Sequence, residues 1–207
     1  MRKKIAEHYD HHCCEYEEWI KSHPHIHQSE VIVFQKVVPS GVGLEIGVGT
    51  GRLASSFSVR FGLDPSLNML KLAQQKNVLV VQGHGENLPF KKETFNFVLI
   101  VYTIELADDA LRFLKEAVRT LKKRGVLILG ITNRESAWGR FYEQDASKGF
   151  WRWYSIEEIL RYFKKISVEF QEAFHTHFHA PPDIKEIEEP KKGFGKGGLV
   201  VFKAVKQ

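Results

Sequence analysis

Cysteine is nearly missing from this 207-residue sequence. The two present, Cys13 and Cys14, are adjacent and cannot easily pair with each other, which excludes a disulfide framework. No apolar run approaches the roughly 20 residues that a membrane-spanning helix needs. The start, Met1-Arg2-Lys3-Lys4, has basic residues but not the apolar stretch of a signal peptide, so a cytoplasmic protein is expected. Neither sign of charge dominates. With 30 basic and 25 acidic residues the formal net charge is +5, spread along the chain, which favours an anionic partner only weakly and does not demand RNA. Internal repeats and low-complexity tracts are also missing. What remains, 43% hydrophobic and 27% charged, is the composition of an ordinary globular chain, long enough for one domain with a single core in three layers.

Apolar segments alternate with helical patterns, an order that requires parallel strand pairing through crossovers. Strands are expected at Gly43–Ile46, Val59–Leu63, Val78–Gln82, Phe95–Ile100 and Val126–Ile131, each apolar enough for burial on both faces. Helices are expected over Ser66–Gln75, behind a Ser cap, and Asp108–Leu121; the stretch Leu53–Arg60 leaves room for only about two helical turns. Ser155-Ile156-Glu157-Glu158 reads as a capping box opening a helix to about Phe163, followed by strands at Ile166–Phe174 and Leu199–Val205. The Pro-, Gly-, Lys- and Glu-rich stretch from Pro181 to Gly198 reads as a solvated loop. Residues 1–39 read as amphipathic helices that bury Tyr9, Tyr16, Trp19, Ile20, Val31, Phe34 and Val37.

The chemistry concentrates at Leu44-Glu45-Ile46-Gly47-Val48-Gly49-Thr50-Gly51-Arg52, followed by Gly62-Leu63-Asp64. Glycines at alternate positions let a turn adopt backbone conformations closed to other residues and come close to a ligand, at the start of a helix whose first N–H groups point outward. Asp64 stands 19 residues after Glu45, at the end of the next strand, where a carboxylate can accept hydrogen bonds from both ribose hydroxyls. A dinucleotide fingerprint would place its third glycine one residue later than Gly51 and would set the turn against a pyrophosphate. Glu45 would repel a pyrophosphate but suits a ligand carrying an ammonium and a sulfonium. The corner therefore fits S-adenosylmethionine better than NAD.

Four segments in order resemble the class I S-adenosylmethionine-dependent methyltransferases, especially the small-molecule and quinone-type group. They are the glycine corner, Gly62-Leu63-Asp64-Pro65, Gln82-Gly83-His84-Gly85-Glu86-Asn87-Leu88-Pro89-Phe90, and Phe95–Ile100 with Ala117–Gly125. The resemblance implies a doubly wound, three-layer Rossmann-like α/β fold with a seven-stranded, mostly parallel sheet and an antiparallel last strand. It implies a helical cover over 1–39, a cofactor-binding half over 40–132 and a substrate-side half over 133–207. It further implies that Glu45 faces the methionine amine, that Gly47, Val48, Gly49 and Gly51 line the turn, that Asp64 holds the ribose with Pro65 near the adenine, and that His84, Gly85, Glu86 and Tyr102 complete the cofactor site. The chain departs from the family pattern at His84, where an aspartate usually contacts the adenine amino group, at Asn96, and at Lys123-Arg124-Gly125 in place of Pro-Gly-Gly.

A methyl acceptor is implied, and the segment after the fifth strand suits a planar or apolar small molecule: Trp138, Phe141, Tyr142, Phe150, Trp151, Trp153 and Tyr154, interrupted by Arg134, Arg140, Lys148 and Arg152. Packing of a helix against the cover is the other reading of these rings, and stacking on single-stranded nucleic acid a minor third. If the acceptor loses a proton, Tyr102, Glu105, His11, His12 or one of His175, His177 and His179 could take it. Those last three alternate and would share one face of an extended segment. His8, His11, His12, His23, His25 and His27 beside two cysteines suggest zinc, but the spacing is not that of a structural site, and no metal is expected. Two rival functions stand beside methyl transfer: a non-catalytic ligand-sensing or RNA-binding module on the same scaffold, and an NAD-dependent oxidoreductase.

Overall fold

The structure is a computed structural model that describes residues 2–144, 150–180 and 184–207. Two helices, α1 (Arg2–Ser22) and α2 (Pro24–Gln35), precede β1 (Gly43–Ile46), α3 (Arg52–Ser56), β2 (Phe61–Asp64), α4 (Leu67–Gln75), β3 (Leu79–Gln82) and β4 (Phe95–Val101). A 3-10 turn (Ile104–Leu106) then leads to α5 (Ala110–Thr120), β5 (Leu121–Thr132), α6 (Ala137–Glu143), α7 (Ile156–Phe163), β6 (Val168–Thr176), β7 (Lys191–Lys192) and β8 (Leu199–Lys206). The strands form one sheet in the order β3-β2-β1-β4-β5-β8-β6-β7. Strands β1 to β5 pair in parallel, and β8 runs antiparallel to both of its neighbours. This is the expected Rossmann-like sheet, extended at one edge by β7, whose two residues pair with Phe174 and His175.

Because side chains alternate across a strand, the sheet feeds two separate cores. Val98 and Ile100 of β4 face Phe113, Leu114 and Ala117 of α5 and Ile159 and Phe163 of α7. Phe97, Leu99 and Val101 face the other way, onto Val33 and Phe34 of α2, Leu53 and Ala54 of α3, and Leu70 and Ala73 of α4. Burying each of these side chains larger than alanine stabilises by roughly 1.5–3 kcal/mol, and the result is three layers with helices on both faces.

Local chemistry sets the helix ends. Ser66 caps α4 by accepting from Met69 N–H, Asp109 caps α5 by accepting from Arg112 N–H, and Ser155 with Glu158 closes the reciprocal box at α7. The helix α3 is shorter than expected, five residues. Residues Lys123 to Gly125 do not form a turn after α5. They lie inside β5 where the register slips between the pairs Phe95–Leu121 and Phe97–Val126, with Arg124 at φ 62°. Asn96, at this same end of β4, accepts from Val42 N–H at 3.0 Å and from Lys122 Nζ at 3.2 Å. The departures at Asn96 and at Lys123 to Gly125 therefore serve the N-terminal ends of the strands, away from the glycine corner.

The stretch after β6 corrects two expectations. The segment up to Gly198 is not simply solvated: Ile184 packs with Ile26 and Trp138, and Glu188 is buried, accepting from Phe178 N–H at 2.5 Å and donating its own N–H to Ser29 Oγ at 2.8 Å. Pro181 and Pro182, like Lys148, lie outside the described residues. His175, His177 and His179 do not share a face, because His177 takes φ 60° and breaks the extended run. Its ring is fully buried and stacks on Trp138 at 4.7 Å, whereas exposed His179 contacts Glu188 Oε1 at 2.5 Å.

Candidate active site

In a doubly wound sheet the crevice for ligands opens beyond the carboxyl ends of the strands, where the strand order reverses. Here that point lies between β1 and β4, and a cavity of about 740 Å³ occupies it. The floor is the turn from Gly47 to Gly51. Gly47 and Val48 donate their N–H groups to Leu63 O at 2.7 and 3.1 Å, and Gly49 donates to Asp64 Oδ2 at 3.0 Å. Gly47, Gly49 and Gly51 have φ of 76°, 51° and 75°, a region that strains any residue with a Cβ. At Gly47 a Cβ would lie 2.2 Å from Thr103 Oγ1; at Gly49 it would meet nothing within 4 Å, because that face of the turn opens into the cavity.

Two carboxylates stand beside this turn. Asp64 accepts from Gly49 N–H and from Ser66 N–H at 2.9 Å, which orients it and leaves each oxygen with further capacity to accept. Burial raises its pKa to about 6 despite those two donors. Glu45 is only 3% exposed, and its Oε2 has no hydrogen-bond partner. Burial pushes its pKa up to about 8, opposed by the nearby Arg52. A buried acceptor left without a donor is costly, and a ligand cation is the natural partner for it. Volume, open glycine face and orphaned carboxyl oxygen together fit S-adenosylmethionine.

Of the residues expected to bind the cofactor, Glu45, Gly47, Val48, Gly49, Asp64, Pro65, His84, Gly85, Glu86 and Tyr102 all line the cavity. Val48 also packs its side chain over Gly62, where a Cβ would lie 2.8 Å from it. Gly51 instead sits under the turn: a Cβ there would lie 3.0 Å from Ala73. Glu86 is committed to the scaffold, its Oε1 accepting from Asp108 N–H at 3.0 Å and its carbonyl from Arg112 Nε at 2.8 Å.

The proton-acceptor candidates divide. Glu105 does not line the cavity; it is 1% exposed, accepts from Thr132 N–H at 2.9 Å, and is held by burial at a pKa of about 8. His11 is exposed and contacts Glu7 O at 2.5 Å, whereas His12 lines the cavity beside a kink in α1. Tyr102 lines it too, but burial beside Glu30 holds its hydroxyl far above the usual phenol range.

The cover is fastened over this floor by residues that sequence reasoning did not single out. Asp10 of α1 accepts from Ser66 Oγ at 2.6 Å and Asn68 N–H at 3.0 Å, Glu17 pairs with Lys76 at 2.7 Å, and Glu30 of α2 pairs with Arg52. Beyond the 3-10 turn, Trp138, Phe141, Tyr142, Trp151 and Trp153 form an aromatic wall of the same cavity. Tyr142 and Trp153 stack at 5.6 Å and 10° between planes, and Trp151 and Trp153 at 5.2 Å and 16°. Tyr154 instead joins the core under α7. Arg134 and Arg152 both pair with Glu158, at 3.2 and 3.9 Å, rather than forming a basic track. Among the described residues no group of three His, Cys, Asp or Glu side chains converges as metal ligands, and no helix is long and apolar enough to cross a membrane.

A glycine turn flanked by buried carboxylates at the switch point of a parallel sheet, closed by a helical cover, defines an α/β enzyme that binds an adenosyl ligand. Residues 44–129 match the family described as methyltransferase domain. A crystal structure from Thermotoga maritima, of an S-adenosylmethionine-dependent methyltransferase described as a possible histamine N-methyltransferase, superposes with a TM-score of 0.91 at 41% identity, over 96% of this chain and 98% of that one. An uncharacterized protein of Methanocaldococcus jannaschii is 36% identical over 202 residues, 96% of this chain and 98% of the relative. A demethylmenaquinone methyltransferase of Corynebacterium kroppenstedtii is 38% identical over 93 residues, 45% of this chain and 40% of the relative. The chain belongs to the S-adenosylmethionine-dependent methyltransferases. It is accordingly an enzyme with S-adenosylmethionine as its cofactor, and the comparisons support neither the oxidoreductase nor the non-catalytic reading.

Proposed function

We propose that this enzyme methylates a small, planar acceptor by in-line displacement, with the acceptor held against the wall of Tyr142, Trp151 and Trp153. The observation that carries this reading is that the stacked rings and the glycine corner line one cavity, so donor and acceptor sites are continuous. The chain works as one unit, with residues 1–39 as cover, 40–132 as the cofactor half and 133–207 as the acceptor side.

Bound S-adenosylmethionine supplies a methyl group already activated by its sulfonium. The chain's own residues then orient and exclude water. Glu45 meets the ammonium and Asp64 the ribose, while Gly47 and Gly49 let the backbone approach, and His84 and Pro65 border the adenine side. The aromatic wall fixes the acceptor plane, and the cover, fastened through Asp10, Glu17 and Glu30, keeps solvent out. Positioning of this kind can lower a barrier by roughly 7–11 kcal/mol without a protein base; Glu105 and His11 lie off the cavity, and His12 and Tyr102 are the candidates that line it.

The test is transfer of a radiolabelled methyl group into fractionated cell extract, with small molecules and macromolecules separated before counting, followed by kinetics of Trp153→Ala on the labelled acceptor. Label in the small-molecule fraction and a KM raised at least about tenfold, with cofactor affinity unchanged, are expected from loss of a stacking partner and its buried area. Label confined to RNA or protein, or an unchanged KM, would sink the reading.

A further inference from the structure

An amino-acid ligand end brings a carboxylate as well as an ammonium into the cavity. The described lining residues include the carboxylates Glu15, Glu30, Glu45, Asp64 and Glu86, but Arg52 is their only lysine or arginine. It follows Gly51 directly, on the same wall as Glu45 and close enough to act on that carboxyl's charge, yet its ion pair is with Glu30 and not with Glu45. Its side chain is 14% exposed. The Nη1 group serves Glu30 and contacts His27 Nδ1 at 3.0 Å, and Tyr16 of α1 lies close enough to raise the guanidinium's pKa. Contacts from Glu30 and His27 of the cover hold the fork in place. A guanidinium has five N–H donors, so one buried carboxylate does not exhaust it, and a planar fork suits a second.

We infer that Arg52 receives the α-carboxylate of the bound cofactor and, with Glu45 receiving the ammonium, forms a two-sided clamp for the zwitterion. This rests on the reading that Glu45 faces the amine. Without Arg52, a carboxylate entering here would face only like charges among the described lining side chains, histidines aside, and S-adenosylmethionine would be penalised relative to an analogue lacking that group. Because Tyr16, His27 and Glu30 all belong to the cover, the clamp also ties occupancy of the amino-acid subsite to the closed position of α1 and α2.

Calorimetry with three probes tests this: S-adenosylmethionine, its decarboxylated analogue, and 5′-methylthioadenosine, which lacks the amino-acid end. The wild-type protein is expected to bind the decarboxylated analogue roughly 10- to 100-fold more weakly than the intact cofactor, the range of a charge-assisted bond. In Arg52→Gln that ratio collapses to within about threefold while affinity for 5′-methylthioadenosine changes little. Arg52→Gln leaves Glu30 buried without its counter-charge, so the pair Glu30→Gln with Arg52→Gln, which removes both charges, carries the same test if the single variant does not fold. A ratio that persists in both variants, or an equal loss for all three probes, overturns the assignment and makes Arg52 a fastening for the cover alone. If the wild type binds all three but prefers none, the clamp fails while the adenosyl site stands. If it binds none, the site reading itself falls and the clamp with it.

Discussion

Glu45→Gln should change not only how tightly the cofactor binds but how many protons leave when it does. In the free enzyme burial holds Glu45 at a pKa of about 8, so at pH 7 about nine molecules in ten carry the proton. An ammonium selects the ionised form, and binding at that pH should expel about 0.9 proton from this group. Asp64, at about 6, would add only about 0.1 at pH 7. The sign follows: the free site binds the proton more tightly than the complex does, so cofactor affinity rises with pH up to about 8, by close to tenfold per pH unit around pH 7. Gln keeps the shape and one acceptor but loses the charge, which should cost about 1.5–3 kcal/mol, or roughly 10- to 150-fold in affinity. The assay is calorimetry at pH 7 in two buffers of different ionisation enthalpy, whose slope counts protons directly. An equal proton count in Glu45→Gln, together with an unchanged affinity, would refute the placement of Glu45 against the amine.

Two further outcomes test the site against the scaffold. Gly49→Ala should leave stability within about 1–2 kcal/mol, the cost of a positive φ, because its Cβ meets nothing in the protein; it should nevertheless abolish measurable cofactor binding, since that Cβ occupies the open face. Gly47→Ala should fail by folding instead, its Cβ lying 2.2 Å from Thr103 Oγ1, and thermal melts of the two variants separate the cases. Glu105 is held by burial at a pKa of about 8, above the ordinary 4.5, so the native state retains a proton that the unfolded chain releases, and stability is lost as pH rises from about 4.5 to about 8. Glu105→Gln, which keeps the acceptor for Thr132 N–H, should lessen the fall of melting temperature with pH, leaving the share of Glu45 and Asp64, and gain most above pH 8. An unchanged profile would show that Glu105 does not contribute to it.

Local rules alone determined a good deal. The alternation of apolar segments with capped helices specified a parallel sheet, because buried parallel strands must be apolar and their crossovers long. The Ser66 cap and the box at Ser155 are set by neighbours three residues away. The corner from Glu45 to Gly51 with Asp64 was legible because glycine spacing and strand length fix where a turn and the next strand end must lie. Tertiary structure decided the rest. Asp10 reaches Ser66 across 56 residues and Glu30 reaches Arg52 across 22, and no periodicity encodes how a cover helix crosses a sheet. The three alternating histidines were misleading for the same reason: only the packing of His177 on Trp138 shows that the strand ends before it. Arg52 could be read as a cation beside the turn, but whether it turned to solvent or into the cavity depended on Glu30 arriving from α2. Sequence thus fixes the residues that touch through the backbone's own periods, and folding alone chooses the pairs that meet through space.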